Sequence, residues 1–145
     1  MSAGSSPVLV VGYDGSRESE AAVDYAARRA GSTGKLVVVH ALAPPPALVG
    51  VVAVGSESRD HGAAVLDALL MEQAETLTAT NVELKAPRAK PADALLEAAS
   101  DADADEIVVG CRGLGRMESA LGSVSSDLLR RADRPVVVIP RSSLG

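Results

Sequence analysis

Phenylalanine and tryptophan are absent from this 145-residue chain, tyrosine occurs only as Tyr13 and Tyr25, and the single cysteine is Cys111. Each shortage closes off a class of protein. Without Phe or Trp there is little to stack on unpaired bases or to flank a flavin, which argues against a single-strand nucleic-acid binder and a flavodoxin-type electron carrier. A lone cysteine cannot form an intramolecular disulfide and fits a reducing compartment. Basic residues are also outnumbered. With 14 Lys and Arg against 19 Asp and Glu, the net charge is −5, and the basic residues are scattered, so no concentrated face exists for nucleic acid.

Long hydrophobic runs are missing too. The least polar stretch, 41–55, is interrupted by Pro44, Pro45 and Pro46 and is too short to span a membrane. The opening residues MSAGSSP lack the basic region and apolar core of a secretion signal, so the expectation is a cytoplasmic protein with no membrane partner. Two phosphate motifs are absent as well. There is no GxxxxGK[ST], hence no P-loop, and no GxGxxG after the first apolar run, hence no ordinary dinucleotide fingerprint.

What is present is aliphatic. A core of Val, Leu, Ile and Ala suits helices packed closely on a Val-rich sheet. At this length a single domain over 1–145, with 1–6 and 141–145 as flexible tails, should bury about 68–70% of the unfolded surface.

Strand and helix patterns alternate along the chain. Residues 8–11 form an apolar run closed by Gly12 and the turn Tyr13-Asp14-Gly15-Ser16. Ala22, Val23, Ala26, Ala27 and Ala30 then recur at helical spacing, with Ser16 as N-cap, Glu18 and Glu20 in the first turn, Arg28 and Arg29 in the last, and Gly31 as the stop. A second strand is predicted over 36–41. A Pro/Gly-rich connection leads to a helix with Leu66, Leu69, Leu70, Ala74 and Leu77 as its stripe. Val82, Leu84 and Ala86 alternate with polar residues as in a strand exposed on one face. Pro91 opens a third helix with Leu95, Leu96 and Ala99 inward, and 107–109 is a fourth strand. A helix over 122–132 carries Val124, Leu128 and Ala132 on one side, and 136–139 is the fifth strand. Such alternation builds a parallel sheet with helices on both faces, and ligands of these sheets sit beyond the carboxyl ends of the strands where the winding reverses.

Two loops carry the chemistry for that crevice. After the fourth strand the segment VVGCRGLGRMESALGSVSS holds a glycine cluster and then a Gly-Ser pair opening a helix. Glycine lets backbone N–H groups approach an anion closely, and a helix N-terminus adds unpaired donors with partial positive charge. The other loop is 12–16, with Asp14 either contacting a ligand or capping the following helix.

The glycine placement after the fourth strand, the Tyr13-Asp14-Gly15-Ser16 turn, the strand ending Val38-Val39-His40-Ala41 and the tail Arg134-Pro135-Val136-Val137-Val138-Ile139-Pro140 resemble the universal stress protein family from Val8 to Pro140. ATP-binding members of that family carry G-x2-G-x9-G-[ST]; here Gly110, Gly113, Gly122 and Ser123 match with eight residues in the long gap instead of nine. The resemblance implies a Rossmann-like α/β fold, a five-stranded parallel sheet in the order 3-2-1-4-5. It also implies an adenine-nucleotide site: Gly12, Tyr13 and Asp14 on the first loop with Asp14 at the ribose, and Ala41 at the adenine. Val109, Gly110 and Gly113 would adjoin the phosphates, and Gly122, Ser123, Val124 and Ser125 would supply helix-terminal donors. ATP, with Mg²⁺ held mainly by phosphate oxygens, is the expected ligand. The expected role is a stress-response sensor or regulator. A scaffold of the same family that binds no nucleotide and a slow ATP hydrolase are the alternatives, the latter weakened because no general base stands beside a nucleophile.

Other residues read more plainly. Cys111 is a small residue beside the glycine loop, and His40 is a satisfied, partly buried histidine at a strand end. Arg112 and Arg116 are solvated loop arginines or phosphate contacts, and His61 has no partner spacing. Asp101, Asp103, Asp105 and Glu106 form a solvated corner rather than a calcium loop. The apolar connection 44–55 is a lid, a docking segment or a loop packed on its own domain. Val136, Val137, Val138 and Ile139 carry no charge, whereas Glu83 and Lys85 guard the third strand. In the order implied by the resemblance, the fifth strand is an unguarded edge, predicting a two-fold homodimer joined through it.

Overall fold

A computed structural model describes residues 6–42, 64, 81–111 and 122–140. The elements are β1 (Val8–Gly12), α1 (Arg17–Ala30), β2 (Lys35–Val39), β3 (Asn81–Lys85), α2 (Pro91–Ala102), β4 (Glu106–Gly110), α3 (Ser123–Arg131) and β5 (Val136–Ile139). The expected helix around Leu66–Leu77, the connection 44–55, His61, Arg112, Gly113 and Arg116 lie outside the described residues.

All five strands are parallel, in the order β3-β2-β1-β4-β5. The period-2 alternation of each central strand sends its apolar residues to both faces, which explains why these segments read as continuous apolar runs. Leu9 and Val11, Leu36 and Val38, and Val108 pack with α1 on one face, through Ala22, Val23, Ala26, Ala27 and Ala30. Val10, Val37, Ile107 and Val109 face the other way, onto α2 and Leu128 of α3. The alanine stripe of α1 recurs at three- and four-residue steps and allows the helix to lie close to the sheet.

α1 starts as predicted. The Ser16 hydroxyl accepts from the Ser19 amide (3.2 Å), Glu18 and Glu20 occupy the first turn, and Gly31, with φ 66°, ends the helix in a conformation suited to glycine. The Asp101–Glu106 corner is structural: Asp103 ends α2 in the left-handed region, the Val8 amide donates to Asp105 Oδ2 (2.8 Å), and Glu106 pairs with Arg29. Arg134 Nη1 donates to the carbonyls of Ala99 and Ala104 (both 2.8 Å), tying the entry of β5 to the end of α2.

Three details differ from expectation. The second strand ends at Val39, not at 41; beyond it the His40 amide donates to the Lys85 carbonyl and the Leu42 amide to the Pro87 carbonyl, while the Val39 carbonyl accepts from the Tyr13 amide. The third strand shifts to Asn81–Lys85, with Val82, Leu84 and Ala86 packed against the α1 side. In α2 the inward stripe is Ala92, Ala94, Leu95, Ala98 and Ala99, and Leu96 is half-buried, because small residues occupy the line of closest approach. Among the described residues no helix is long and apolar enough to cross a membrane.

Candidate functional site

The winding reverses between β1 and β4: from β1 the sheet grows outward through β2 and β3, and on the other side through β4 and β5. A cleft opens at that point over the carboxyl ends of the strands. It is lined by Gly12 of β1, the turn and first helical residues Tyr13, Asp14, Ser16, Glu18 and Ser19, then Val39 and Ala41, Pro91 and Leu95 of α2, Val109 and Gly110 of β4, and Val124 of α3. Its empty volume, open mouth included, is about 570 Å³.

The β1–α1 turn is held by several hydrogen bonds. Asp14 is exposed at the rim, and its Oδ1 accepts from the Ser16 amide (2.9 Å), an Asx turn. The helix N-cap is Ser16, so Asp14 is not the capping residue. Gly15 has φ 86°, a left-handed conformation that glycine adopts without penalty. The Ser19 hydroxyl donates to the Ser16 carbonyl (2.8 Å) and accepts from the Asp14 amide (3.2 Å). Behind the turn, His40 is buried, with Nδ1 2.9 Å from the carbonyl oxygen of Tyr13. A carbonyl can only accept, so Nδ1 carries the proton in this contact.

β4 closes the cleft from the other side. A Cβ on Gly110 would lie 2.6 Å from both the carbonyl carbon and oxygen of Glu18, so the close approach of α1 to β4 itself demands glycine there. A Cβ on Gly12 would meet Leu95 at 3.3 Å and Val109 at 3.4 Å, a tighter fit than ordinary contact but against side chains only. Cys111 follows, half-buried, with its amide bonded to the Ile139 carbonyl (2.8 Å).

Of the residues singled out from sequence, Gly12, Tyr13, Asp14, Ala41, Val109, Gly110 and Val124 meet at this cleft. Gly122, Ser123 and Ser125 do not line it: Gly122 is the N-cap of α3, Ser123 is exposed and Ser125 is 1% exposed on the inner face of the helix. Gly113 lies outside the described residues. Sequence reading missed Glu18, Ser19, Val39, Pro91 and Leu95 as cleft residues. Position 19 continued the alanine stripe of α1 by three residues, and that extrapolation was the available signal.

The molecule is an open, fully parallel α/β sheet with a cleft at its point of reversal, the place where ligands of such sheets bind. Comparison with known proteins narrows the class of protein. The sequence matches the Universal stress protein family over residues 7–140. It is 35% identical over 137 residues to a universal stress protein of Mycobacterium tuberculosis, covering 90% of this chain and 94% of that one. The fold superposes on the crystal structure of a universal stress protein in complex with cAMP with a TM-score of 0.71 and 31% identity, covering 92% and 96% of the two chains. It superposes on the universal stress protein of Archaeoglobus fulgidus in complex with dAMP with a TM-score of 0.67 and 23% identity, covering 92% and 96%, a likeness of fold. The chain belongs to the universal stress protein family.

Proposed function

We propose that this chain binds an adenine nucleotide in the cleft between the ends of β1 and β4 and acts as a dimeric sensor or regulator. The observation that carries the reading is the position and lining of the cleft in a fold shared with a relative solved in complex with cAMP. Val39, Ala41, Leu95 and Val109 offer an apolar wall for the base, and Asp14 at the rim faces the ribose hydroxyls. The N-terminal turn of α3, reached through Val124, offers helix-terminal N–H groups to phosphate, with Gly110 at the end of β4 lining the same cleft.

Asp14 and Glu18 are the charged residues lining the described cleft, and both are acidic. A triphosphate therefore needs its charge offset. Mg²⁺ accompanying the nucleotide, held mainly through phosphate oxygens, would supply that offset. The dimer would form at β5, the outer strand of the sheet on one side: pairing with the β5 of a second copy would extend the sheet across a two-fold axis.

Calorimetric titration with Mg²⁺-ATP, AMP and cAMP tests the reading. Saturable heat from at least one, lost in Asp14→Ala, is the expected result. No heat from any of them at millimolar concentration leaves the family scaffold as the better description, and phosphate release during incubation with ATP identifies a hydrolase.

A further inference from the structure

One peptide group in the cleft is held on both of its edges by buried side chains. The peptide linking Tyr13 to Asp14 accepts at its carbonyl from His40 Nδ1 (2.9 Å) and donates from its N–H to Ser19 Oγ (3.2 Å). His40 directly follows β2 and Ser19 belongs to the first turn of α1, and they are 9% and 5% exposed. The two clamping groups are themselves fixed. The His40 amide is bonded to the Lys85 carbonyl (2.8 Å), and the Ser19 hydroxyl donates to the Ser16 carbonyl. The Tyr13 amide is bonded to the Val39 carbonyl (2.9 Å), so the chain leaving β1 is anchored to β2 on either side of the Tyr13 Cα.

The geometry points to His40 and Ser19 as positioning residues of the nucleotide site, acting through the plane of the Tyr13–Asp14 peptide to aim the Asp14 carboxylate into the cleft. This rests on the adenine-nucleotide reading given above. Neither side chain is assigned contact with the ligand. The ψ of Tyr13 and the φ of Asp14 both turn about this peptide plane, so clamping its two edges removes the soft rotation that would swing Asp14 out of the rim. A side chain held to a productive direction before the ligand arrives costs less to order on binding.

The shape of the clamp distinguishes it from ordinary core packing. Asparagine places its amide nitrogen close to the position of histidine Nδ1, so His40→Asn keeps the donor and His40→Leu keeps bulk without it. Ser19→Thr keeps the hydroxyl and Ser19→Ala removes it.

The test uses the full chain and two readouts: hydrogen exchange of the Asp14 amide by NMR without nucleotide, and affinity for Mg²⁺-ATP and cAMP by calorimetry. His40→Leu and Ser19→Ala are expected to speed exchange of the Asp14 amide and to weaken binding by about tenfold, the loss typical of one buried hydrogen bond left unmade. His40→Asn and Ser19→Thr are expected to restore both. Faster exchange and weaker binding that neither His40→Asn nor Ser19→Thr restores overturn the proposal in favour of general destabilisation. So does unchanged amide exchange, or unchanged affinity in His40→Leu while wild type binds. A wild-type chain that binds neither nucleotide overturns the adenine-nucleotide reading and this role with it, and is told apart by the wild-type titration alone. Because Ser19 lies on a different element, its variants decide the matter if His40→Leu fails to fold.

Discussion

The Cβ that Gly110 lacks would sit 2.6 Å from the carbonyl oxygen of Glu18, inside the space taken by the first turn of α1. The glycine at the end of β4 thus lets helix and strand meet, and the meeting brings Glu18 to the cleft wall. Gly110→Ala must push α1 outward, and overpacking of this kind costs about 1–3 kcal/mol. Urea denaturation is expected to show that loss in the absence of any nucleotide. Unchanged stability with weakened nucleotide binding would mean instead that the glycine serves the ligand alone.

Nucleotides of different charge should respond differently to metal. With Asp14 and Glu18 as the charged residues of the lining among the described residues, ATP is expected to enter against like charge unless Mg²⁺ accompanies it. Chelating Mg²⁺ is expected to weaken ATP binding by about tenfold or more, equivalent to 1.4 kcal/mol. Binding of cAMP should change by less than about twofold under the same treatment, since its single negative charge needs little compensation. Glu18→Gln should reduce the Mg²⁺ dependence of ATP binding, measured as the ratio of affinities with and without the metal.

The β5 edge can be tested without touching the core. The Ile107 amide donates to the Pro135 carbonyl and the Cys111 amide to the Ile139 carbonyl, so the intervening peptide groups of Val136 and Val138 point away from β4. Val138→Pro removes one outward N–H and leaves the bonds to β4 in place, a change edge strands tolerate. Light scattering is expected to report a dimer for wild type and a monomer for Val138→Pro. A dimer in both argues for another interface. Ile139 is a poor probe, because it is only 8% exposed and packs with the α1 side of the core.

On the surface near β3, Lys35 hydrogen-bonds Glu83 (3.0 Å) and, with the charges of Lys35 and Lys85, holds the Glu83 carboxyl below its ordinary value. A carboxyl lowered on folding adds stability above its unfolded pKa, and that contribution is lost as pH falls through its folded value. Glu83→Gln is therefore expected to be slightly less stable than wild type at neutral pH, with the difference vanishing in acid. The effect is small because the pair is exposed, and salt should reduce it. Thermal unfolding at neutral and acidic pH, with and without added salt, measures it.

Much of the fold was legible because hydrophobic period and cap chemistry are local. The turn of Asp14, Gly15 and Ser16, the alanine stripe of α1, Pro91 opening α2 and the Val-rich strands each declare themselves within a few residues. The cleft was legible where a special residue marks a strand end, as at Gly12 and Gly110. It was hidden where contact depends on how elements cross. Nothing local to Ser19 shows that its hydroxyl meets the Asp14 amide, and nothing local to His40 shows that its ring reaches Tyr13 from the neighbouring strand. Gly110 illustrates the same limit in reverse: its presence was visible, but the backbone it accommodates lies 92 positions earlier, at Glu18.

Nucleotide binding at the β1–β4 cleft is tested most directly by following the amide spectrum of the isotopically labelled full chain during titration with Mg²⁺-ATP and with cAMP. The predicted result is saturable shifts concentrated at Gly12–Ser19, Val39–Ala41, Val109–Gly110 and Val124, abolished in Asp14→Ala. Shifts confined to the β5 edge or to the outer faces of the helices, or none at millimolar nucleotide, would contradict it.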